Sequence, residues 1–534
     1  MQKTKRLLIS IGVTLLVGFI YFYIFLPPIN IHSSSFWVFV TILSLLFGVM
    51  NFGVGILGLL FNKDPNAVKK FSFREKKNYL PFILPIIIII FTFVVKIINK
   101  PLFMASKYYH RIDVIEGDFN NDIKEVDFNT LAVVDKASSQ KLGDRTMGSM
   151  SELVSQFEVT NLYAQINYND EIIRVTPLDY VDMIKYFTNR SEGIKGYVTV
   201  NSVTGEAKLV KLDKGMKYSE NALFFENVYR RLRFDYPFDN FGDMNFEIDN
   251  EGKPYWIMQV IKYHGIEQRP DISHVIILDA ITGESKKYKV SEVPTWVDHV
   301  YEPDLIIDQV DDWGSYVNGF WNTIFGQKGM KMTTDGYNYM AMNDDVYMYT
   351  GITSVVNDES NLGFILTNLR TKETKFYDCP GAEEYSAMDS AKGQVQQMDY
   401  TSSFPLLINL SGRPTYVISL KDDAGLVKMY AFVDVRDYQK VVVTDATLGI
   451  QNAAYNYLNN NGIVTKGEKI TIVVSEIKDV IIDGNTYYYI TDTNNNKYRV
   501  SIKVNANKLP FVKVGSELKI SYNEKEIREI TGIE

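Results

Sequence analysis

Few side chains in this sequence are spaced in a way that supports catalysis. The best group lies in the segment WVDHVYEPD, which contains Asp298, His299, Glu302 and Asp304. Carboxylates and imidazoles together can transfer protons or hold a metal ion. Nothing in their spacing puts them on one face. We therefore interpret the segment as a solvated loop and keep an acid–base site as the alternative.

Other chemical motifs are weaker or incomplete. Cys379, the sole cysteine, precedes a proline, and a small side chain at a strand end is a better interpretation than a nucleophile. The segment DTNNNKY starts like a calcium loop with Asp492, Asn494 and Asn496, but it lacks the glycine at position six and predicts a hairpin turn. The segment SAMDSAK (386–392) lacks the S-x-x-K spacing. We therefore predict no enzymatic activity, no cofactor and no metal ion.

A group of four aromatic residues could bind a partner. Trp313, Tyr316, Phe320 and Trp321 are types that stack on sugars or anchor a protein surface. Positions 313, 316 and 320 also share one face of a helix predicted over residues 313–326, so core packing is the preferred interpretation. Partner binding by these four residues remains the alternative.

The elements that would position such groups follow from charge and hydropathy. The 534 residues are too many for one ordinary core and predict several domains. Residues 1–100 hold 11 basic and 2 acidic residues, whereas the rest of the chain holds 45 basic and 62 acidic residues. An acidic body lacks the cations that contact phosphates, so we exclude a nucleic-acid partner.

Three apolar stretches near the start predict transmembrane helices over about 7–26, 36–61 and 80–98. Each is close to the roughly 20 residues that cross a bilayer. The N-terminal segment and the segment 62–79 are rich in Lys and Arg, whereas the connection between the first two spans has none. The positive-inside rule then places the N-terminus in the cytoplasm and the residues after about 100 outside the membrane.

The second span carries Gly48, Gly55 and Gly58 near one helix face. Small residues on one face let another helix approach closely. We predict a packing face there, against the neighbouring spans or against a partner protein.

A recurrent phrase marks the part of the chain outside the membrane. VNSVTGEA (200–207), LDAITGES (278–285) and NLRTKET (368–374) each join an apolar strand to a turn that Asn or Asp begins, and a weaker copy is centred on Asp434. A tighter hairpin precedes each copy, so the predicted unit is strand–turn–strand–loop–strand–turn–strand. Helical patterns lie between the units, at 219–234, 313–326, 382–398 and 445–462.

These units resemble PepSY-type modules, as four divergent copies over about 160–445. The layout as a whole resembles uncharacterised multi-span membrane proteins of Gram-positive bacteria. The resemblance implies small antiparallel sheets with helices, and roles in binding, in restraint of proteases and in regulation of other envelope proteins. It brings no catalytic residues.

The last part of the chain changes character, with five short strand patterns and turns such as DGN and DTNNN after residue 466. They predict a small β-barrel of the OB or SH3-like kind. We prefer a structural or docking role to binding of an oligosaccharide or a strand of nucleic acid.

The predicted fold class is α+β, and five regions follow along the chain. They are a membrane domain (1–100), a juxtamembrane connector (101–158), modules 1 and 2 (159–300), modules 3 and 4 with helices (301–462) and the barrel (463–534).

The resulting functional expectation is a non-enzymatic scaffold or regulatory binding protein of the cell envelope. It is anchored in the bacterial cell membrane, and its partners are the lipid bilayer and another envelope protein, a peptide or a cell-wall component. Two alternatives remain: an extracytoplasmic hydrolase of wall or peptide substrates, and an accessory subunit of a transport or secretion complex.

Overall fold

Three N-terminal helices begin the structure. The computed structural model of the chain describes residues 3–60, 80–148, 151–342, 344–355, 357–461, 468–482, 485–523 and 527–533. Helices α1 (Lys3–Phe25), α2 (Ser34–Leu60) and α3 (Leu80–Ile98) are each long and apolar enough to cross a membrane. The predicted candidate spans are therefore confirmed, while the basic segment 62–79 lies outside the described residues.

A connector follows the membrane helices. It contains α4 (Pro101–Tyr109), β1 (Val114–Glu116), α5 (Phe119–Asp122), α6 (Lys136–Gly148) and α7 (Ser151–Val154). Lys100, between α3 and α4, has an extended backbone, so α4 does not continue the direction of α3.

Two antiparallel sheets come next. The first sheet contains β2 (Phe157–Val159), β3 (Ala164–Tyr168), β4 (Glu171–Tyr180), β5 (Ile194–Asn201) and β6 (Ala207–Met216), with α8 (Met183–Asn189) between β4 and β5. Helix α9 (Val228–Asp235) leads to the second sheet, which contains β7 (Asn240–Ile248), β8 (Pro254–Lys262), β9 (Asp271–Asp279) and β10 (Ser285–Lys289).

Two further sheets repeat this design. After α10 (Pro303–Ser315) and α11 (Phe320–Phe325), the third sheet contains β11 (Lys331–Thr333), β12 (Asn338–Met342), β13 (Asp345–Ser354), β14 (Asn357–Asn368) and β15 (Thr374–Ala382), and β1 joins it in parallel beside β15. After α12 (Glu384–Gly393), the fourth sheet contains β16 (Thr401–Ser402), β17 (Leu406–Leu410), β18 (Arg413–Lys421), β19 (Val427–Asp434) and β20 (Val441–Asp445), followed by α13 (Ile450–Asn460).

The four sheets share a four-stranded antiparallel meander, formed by β3–β6, β7–β10, β12–β15 and β17–β20. Short connections between sequential strands give this topology directly. The predicted mixed α+β class with several antiparallel sheets is confirmed.

The sheets are stacked, and the inner ones bury both faces. Trp256 and Met258 on β8 pack in the core shared with the first sheet, whereas Ile257 between them packs in the core shared with the third sheet. In β18, Tyr416 faces the third sheet and Val417 faces α13. Successive side chains of a strand point to opposite faces, so one apolar run supplies two cores.

The recurrent phrase forms the same turn in the first three sheets. The side-chain Oδ1 atoms of Asn201, Asp279 and Asn368 each accept hydrogen bonds from the backbone N–H groups two and three residues later, at 2.8–3.0 Å. The fifth residue of the turn has φ of +76° at Gly205, +74° at Gly283 and +67° at Lys372. Lys372 adopts this backbone where glycine is favoured, and its Nζ lies 2.7 Å from Asp271 of the second sheet.

The three turns give a graded stability prediction. We expect Gly205→Ala to destabilise the protein by about 1 kcal/mol, because its Cβ would meet Leu142 and Val134 at ordinary contact distances and only the positive φ is a cost. Gly283→Ala should cost more, because its Cβ would lie 2.1 Å from the ring of Tyr218. Lys372→Gly should change the free energy of unfolding by less than about 1 kcal/mol, because relief of the backbone opposes loss of the ion pair. Denaturant unfolding of the detergent-solubilised chain measures all three, and equal costs at Gly205 and Gly283 would contradict the argument.

Two predicted helices are shorter than expected. The pattern over 219–234 gives a 3-10 turn at Phe224–Glu226 and then α9, whose cap is Asn227 rather than Ser219. The pattern over 313–326 is split between the end of α10 and the short helix α11, because Gly319 has φ of +79°. The prediction of one continuous helix over 313–326 is wrong.

The C-terminal strands close into a barrel. They are β21 (Glu468–Ile482), β22 (Asn485–Asp492), β23 (Lys497–Ser501), β24 (Glu517–Asn523) and β25 (Arg528–Ile533), paired in the order β21-β22-β23-β25-β24 with β24 returning to β21. The long β21 can pair on both sides because its first half meets β24 and its second half meets β22.

Candidate functional site

A pocket of 240 Å³ lies where the connector crosses the third and fourth sheets. We call residues 122–132 of the connector the strap. The strap forms one wall, β12 and β17 form the others, and Ile172 of the first sheet also contributes. The lining residues are Asp122, Ile123, Lys124, Glu125, Val126, Asp127, Thr130, Leu131, Ala132, Ile172, Tyr339, Met340, Ala341, Met342, Leu406, Leu407, Ile408 and Asn409.

The strap is held beside β17 by strand-like hydrogen bonds. The N–H of Val126 donates to the carbonyl of Asn409 at 2.9 Å, and Nδ2 of Asn409 donates to the carbonyl of Ile123 at 2.7 Å. Glu125 and Asn409 form a parallel bridge. The outer edge of β17 is thus already covered by an extended segment of this chain.

The strap is also fixed where it leaves the pocket. The Nζ of Lys421 on β18 lies 2.5 Å from Asp135, and the hydroxyl of Ser419 donates to the carbonyl of Val133 at 3.0 Å. Arg174 of the first sheet donates to the carbonyl of Val134. These contacts make the pocket wall a part of the core and hold its shape.

The other side of the pocket offers an open strand edge. Among the described residues, β12 pairs with β13 only, and its consecutive residues 339–342 line the pocket. An edge strand presents unpaired backbone N–H and C=O groups, which an incoming extended chain can satisfy. The pocket therefore combines main-chain hydrogen-bonding capacity with an apolar floor that includes Leu406 and Ile408.

The rim of the pocket is acidic. The lining carries three carboxylates, of Asp122, Glu125 and Asp127, and the ammonium group of Lys124, so it keeps an acidic excess even with Lys375 beside Asp122. Asp122 is anchored, since its Oδ2 accepts from the hydroxyl of Tyr377 at 3.2 Å and lies 3.4 Å from Lys375. This balance favours a ligand with a positive charge beside its apolar part. The described lining contains no histidine, cysteine or serine, so it offers none of the common nucleophile–base pairs.

Asp298 and His299, in the segment predicted to be a solvated loop, are instead buried. Asp298 and His299 lie at a junction of the first three sheets, together with Glu247 of β7. The carboxylate of Glu247 accepts the N–H groups of Asp298 and His299 at 2.9 and 3.0 Å. The carboxylate of Asp298 accepts the N–H of Asn167 at 2.7 Å, and His299 Nε2 donates to the carbonyl of Gln165 at 2.7 Å. The solvated-loop interpretation is wrong because each polar group has a partner on a neighbouring sheet.

Burial changes the acidity of this junction. Desolvation raises the pKa of Asp298 well above its usual value, and the charge of Glu247 raises it further. Desolvation also raises the pKa of Glu247, against the hydrogen bonds and the nearby imidazole. All three side chains are out of reach of a substrate, so the junction is a structural element. Sequence reasoning missed Glu247, whose only signal was a charged residue inside an apolar strand.

The remaining two residues of that segment lie at the start of α10. Glu302 is the cap residue, and its Oε1 accepts from Nδ2 of Asn245. Asp304 lies in the first turn of the helix. Within the described residues, no group of three or more His, Cys, Asp or Glu side chains could hold a metal ion.

The structure separates the four aromatic candidates. Trp313 packs at the edge of the core between the second and third sheets, 6.4 Å from the ring of Phe376. Tyr316 contacts Tyr108 of α4 with ring centroids 5.9 Å apart. Phe320 and Trp321 begin the separate helix α11, where Trp321 is 61% exposed. They do not form one aromatic face.

The other candidates have local roles. Cys379 is buried, and desolvation raises the pKa of its thiol, which disfavours the reactive thiolate. Asp492 accepts the N–H groups of Asn494 and Asn496 at 2.8 Å, as a hairpin turn requires.

The glycine face of α2 is described in part. A Cβ at Gly48 would lie 2.8 Å from the ring of Phe82 on α3, so these two helices are closely packed there. The surroundings of Gly55 and Gly58 are outside the described part of the chain, and their role stays a prediction.

No protein-family model matches the chain, and no curated protein matches it.

Proposed function

We propose that this protein is a membrane-anchored, extracytoplasmic binding or regulatory protein of the cell envelope, without enzymatic activity. It captures an extended peptide segment of another envelope protein in the pocket beneath the strap. The observation that carries this proposal is the open edge of β12 above an apolar floor, beside a β17 edge that an extended segment of the same chain already occupies.

The fold supports a binding role of this kind. Four stacked meanders with Asx turns fit PepSY-like modules, and five barrel strands fit a small OB- or SH3-like docking domain. A strand-addition site derives affinity from backbone hydrogen bonds and selectivity from side-chain pockets. At 240 Å³ the pocket is smaller than the roughly 300–1,000 Å³ usual for small-molecule sites, which suits one or two side chains of a peptide.

The proposal predicts which peptides bind. A displayed library of random peptides is selected on the full-length protein in lipid nanodiscs. We expect enrichment of sequences that alternate apolar residues and carry a basic residue, because the pocket floor is apolar and its rim is acidic. Ala341→Phe fills the pocket and should abolish their binding in a direct titration.

The matched control is Ala424→Phe, which adds the same bulk at an exposed turn between β18 and β19. It should leave peptide affinity unchanged. If the enriched peptides bind Ala341→Phe as tightly as the unmodified protein, or if no peptide is enriched, the pocket is not a peptide site.

A further inference from the structure

Large apolar side chains are exposed at several places on the body, and two groups of them adjoin the membrane helices. The first patch surrounds α8 and the 3-10 turn after β6. The second patch comprises α4 and α11. The members of the first patch are Ile184, Phe187, Phe224, Phe225 and Phe238, and those of the second are Leu102, Phe103, Trp321, Ile324 and Phe325.

The first patch is in direct contact with the end of α1. The ring of Tyr23, in the last turn of α1, lies 5.8 Å from that of Phe225. The guanidinium of Arg230 lies 4.4 Å over the Tyr23 ring, and its Nε donates to the Tyr23 carbonyl at 3.2 Å. Asn30, in the connection between α1 and α2, donates to the carbonyl of Phe238 at 2.8 Å. The patch therefore lies at the level where the first helix leaves the bilayer.

The second patch is continuous with the end of α3. Helix α4 starts three residues after α3 ends, and α11 packs against α4. Phe325 is 80% exposed, and its ring stacks on that of Trp321 at 5.9 Å. Tryptophan and phenylalanine beside lysine are typical of segments that lie in the headgroup region.

The charge around the second patch fits a lipid surface. Lys100 precedes α4, Lys107 is in its last turn, and Lys328 follows α11. All three are exposed, in a body that carries an excess of acidic residues. Ammonium groups at this level can contact the phosphates of lipid headgroups while the rings enter the acyl boundary.

We infer that the body rests on the outer leaflet of the bilayer that its helices span, with both patches inserted into the lipid interface. The two patches flank the helices and fix the tilt of the body, so the stacked sheets are held at a set angle to the membrane. This inference is independent of the peptide pocket.

Lipid-borne quenchers test the inference on the full-length protein. Two variants, Ile184→Cys and Phe325→Cys, each carry an environment-sensitive NBD probe on the introduced cysteine. The native Cys379 is buried and should not react with the probe. The protein is reconstituted in vesicles of phosphatidylcholine and phosphatidylglycerol that contain doxyl-labelled lipid. Phe511→Cys is the matched control, because Phe511 is a 76% exposed phenylalanine on the barrel.

We expect doxyl lipid to quench the probes at positions 184 and 325 several-fold more than the probe at 511, and aqueous iodide to show the reverse order. Quenching by lipid at only one patch, or at neither, overturns the inference. Shielding from iodide without quenching by lipid also overturns it, because a protein partner would then cover the patch.

Discussion

A cysteine introduced at Lys208 is expected to react completely with a membrane-impermeant maleimide on intact protoplasts, whereas one introduced at Lys69 should react only after lysis. Lys208 is an exposed residue of β6, and Lys69 belongs to the basic segment between the second and third spans. The proposed topology has three crossings with the basic segments in the cytoplasm, and it would place these two residues on opposite sides of the membrane.

The body contacts the connection between α1 and α2 and the end of α3. His32, between α1 and α2, accepts a backbone hydrogen bond from Glu267 at 3.0 Å, and Gln268 donates to the carbonyl of Lys96 at 2.8 Å near the end of α3. These two helix ends and the body therefore share one side.

The native chain is the control for the labelling, because its only cysteine, Cys379, is buried and should stay unlabelled. Labelling of Lys69→Cys on intact cells with protection of Lys208→Cys would mean the inverted orientation. Labelling of both on intact cells would mean that the third helix does not cross the membrane.

Asp298→Asn is expected to stabilise the protein at pH 8 by about 1–3 kcal/mol, and the gain should disappear as the pH falls towards 4. The pKa of Asp298 is raised in the folded protein by burial and by Glu247, and Asp344 and Asp345 act in the same direction. A raised folded pKa gives stability that is complete below the unfolded pKa, near 4, and is lost as the pH rises through the folded pKa. An amide keeps an acceptor for the N–H of Asn167 and removes the charge.

Glu247→Gln provides the contrast. Both carboxylate oxygens of Glu247 accept backbone N–H groups, whereas an amide retains one acceptor and turns an NH₂ group towards a donor. We expect it to destabilise the protein by about 1–3 kcal/mol. Thermal unfolding of both variants between pH 4 and 8, each compared with the unmodified chain, measures the two effects. A gain from Asp298→Asn that is independent of pH would contradict the assignment of the raised pKa.

The repeated meanders could be predicted because their signals are local. An Asx residue at the start of a turn bonds to N–H groups two and three residues later, and apolar residues alternate in the strands beside it. Lys372 shows the limit of this reasoning. It occupies the position of Gly205 and Gly283, and its tertiary contacts with Asp271 and the carbonyl of Arg111 accompany an unfavourable backbone conformation.

The candidate site could not be predicted, because its walls are distant in the sequence. The side-chain amide of Asn409 donates a hydrogen bond to the carbonyl of Ile123, which lies 286 residues earlier in the sequence. The strap has no strand pattern of its own. Its residues around Glu125 and Val126 are extended because β17 offers a free edge. The burial of Asp298 was missed for the same reason, since its partners Glu247 and Asn167 belong to other modules.

The sequence by itself determined the three apolar helices, the acidic body beyond them and the strand–turn units, because hydrophobic length, charge and turn chemistry act over a few residues. The tertiary structure alone decided that the units stack face to face, that the connector pairs with strands of the third and fourth sheets, and that Asp298 and Glu247 are buried together. Those outcomes depend on which apolar faces meet. Many pairings of similar faces are compatible with one pattern, and only the packing of the whole chain selects among them.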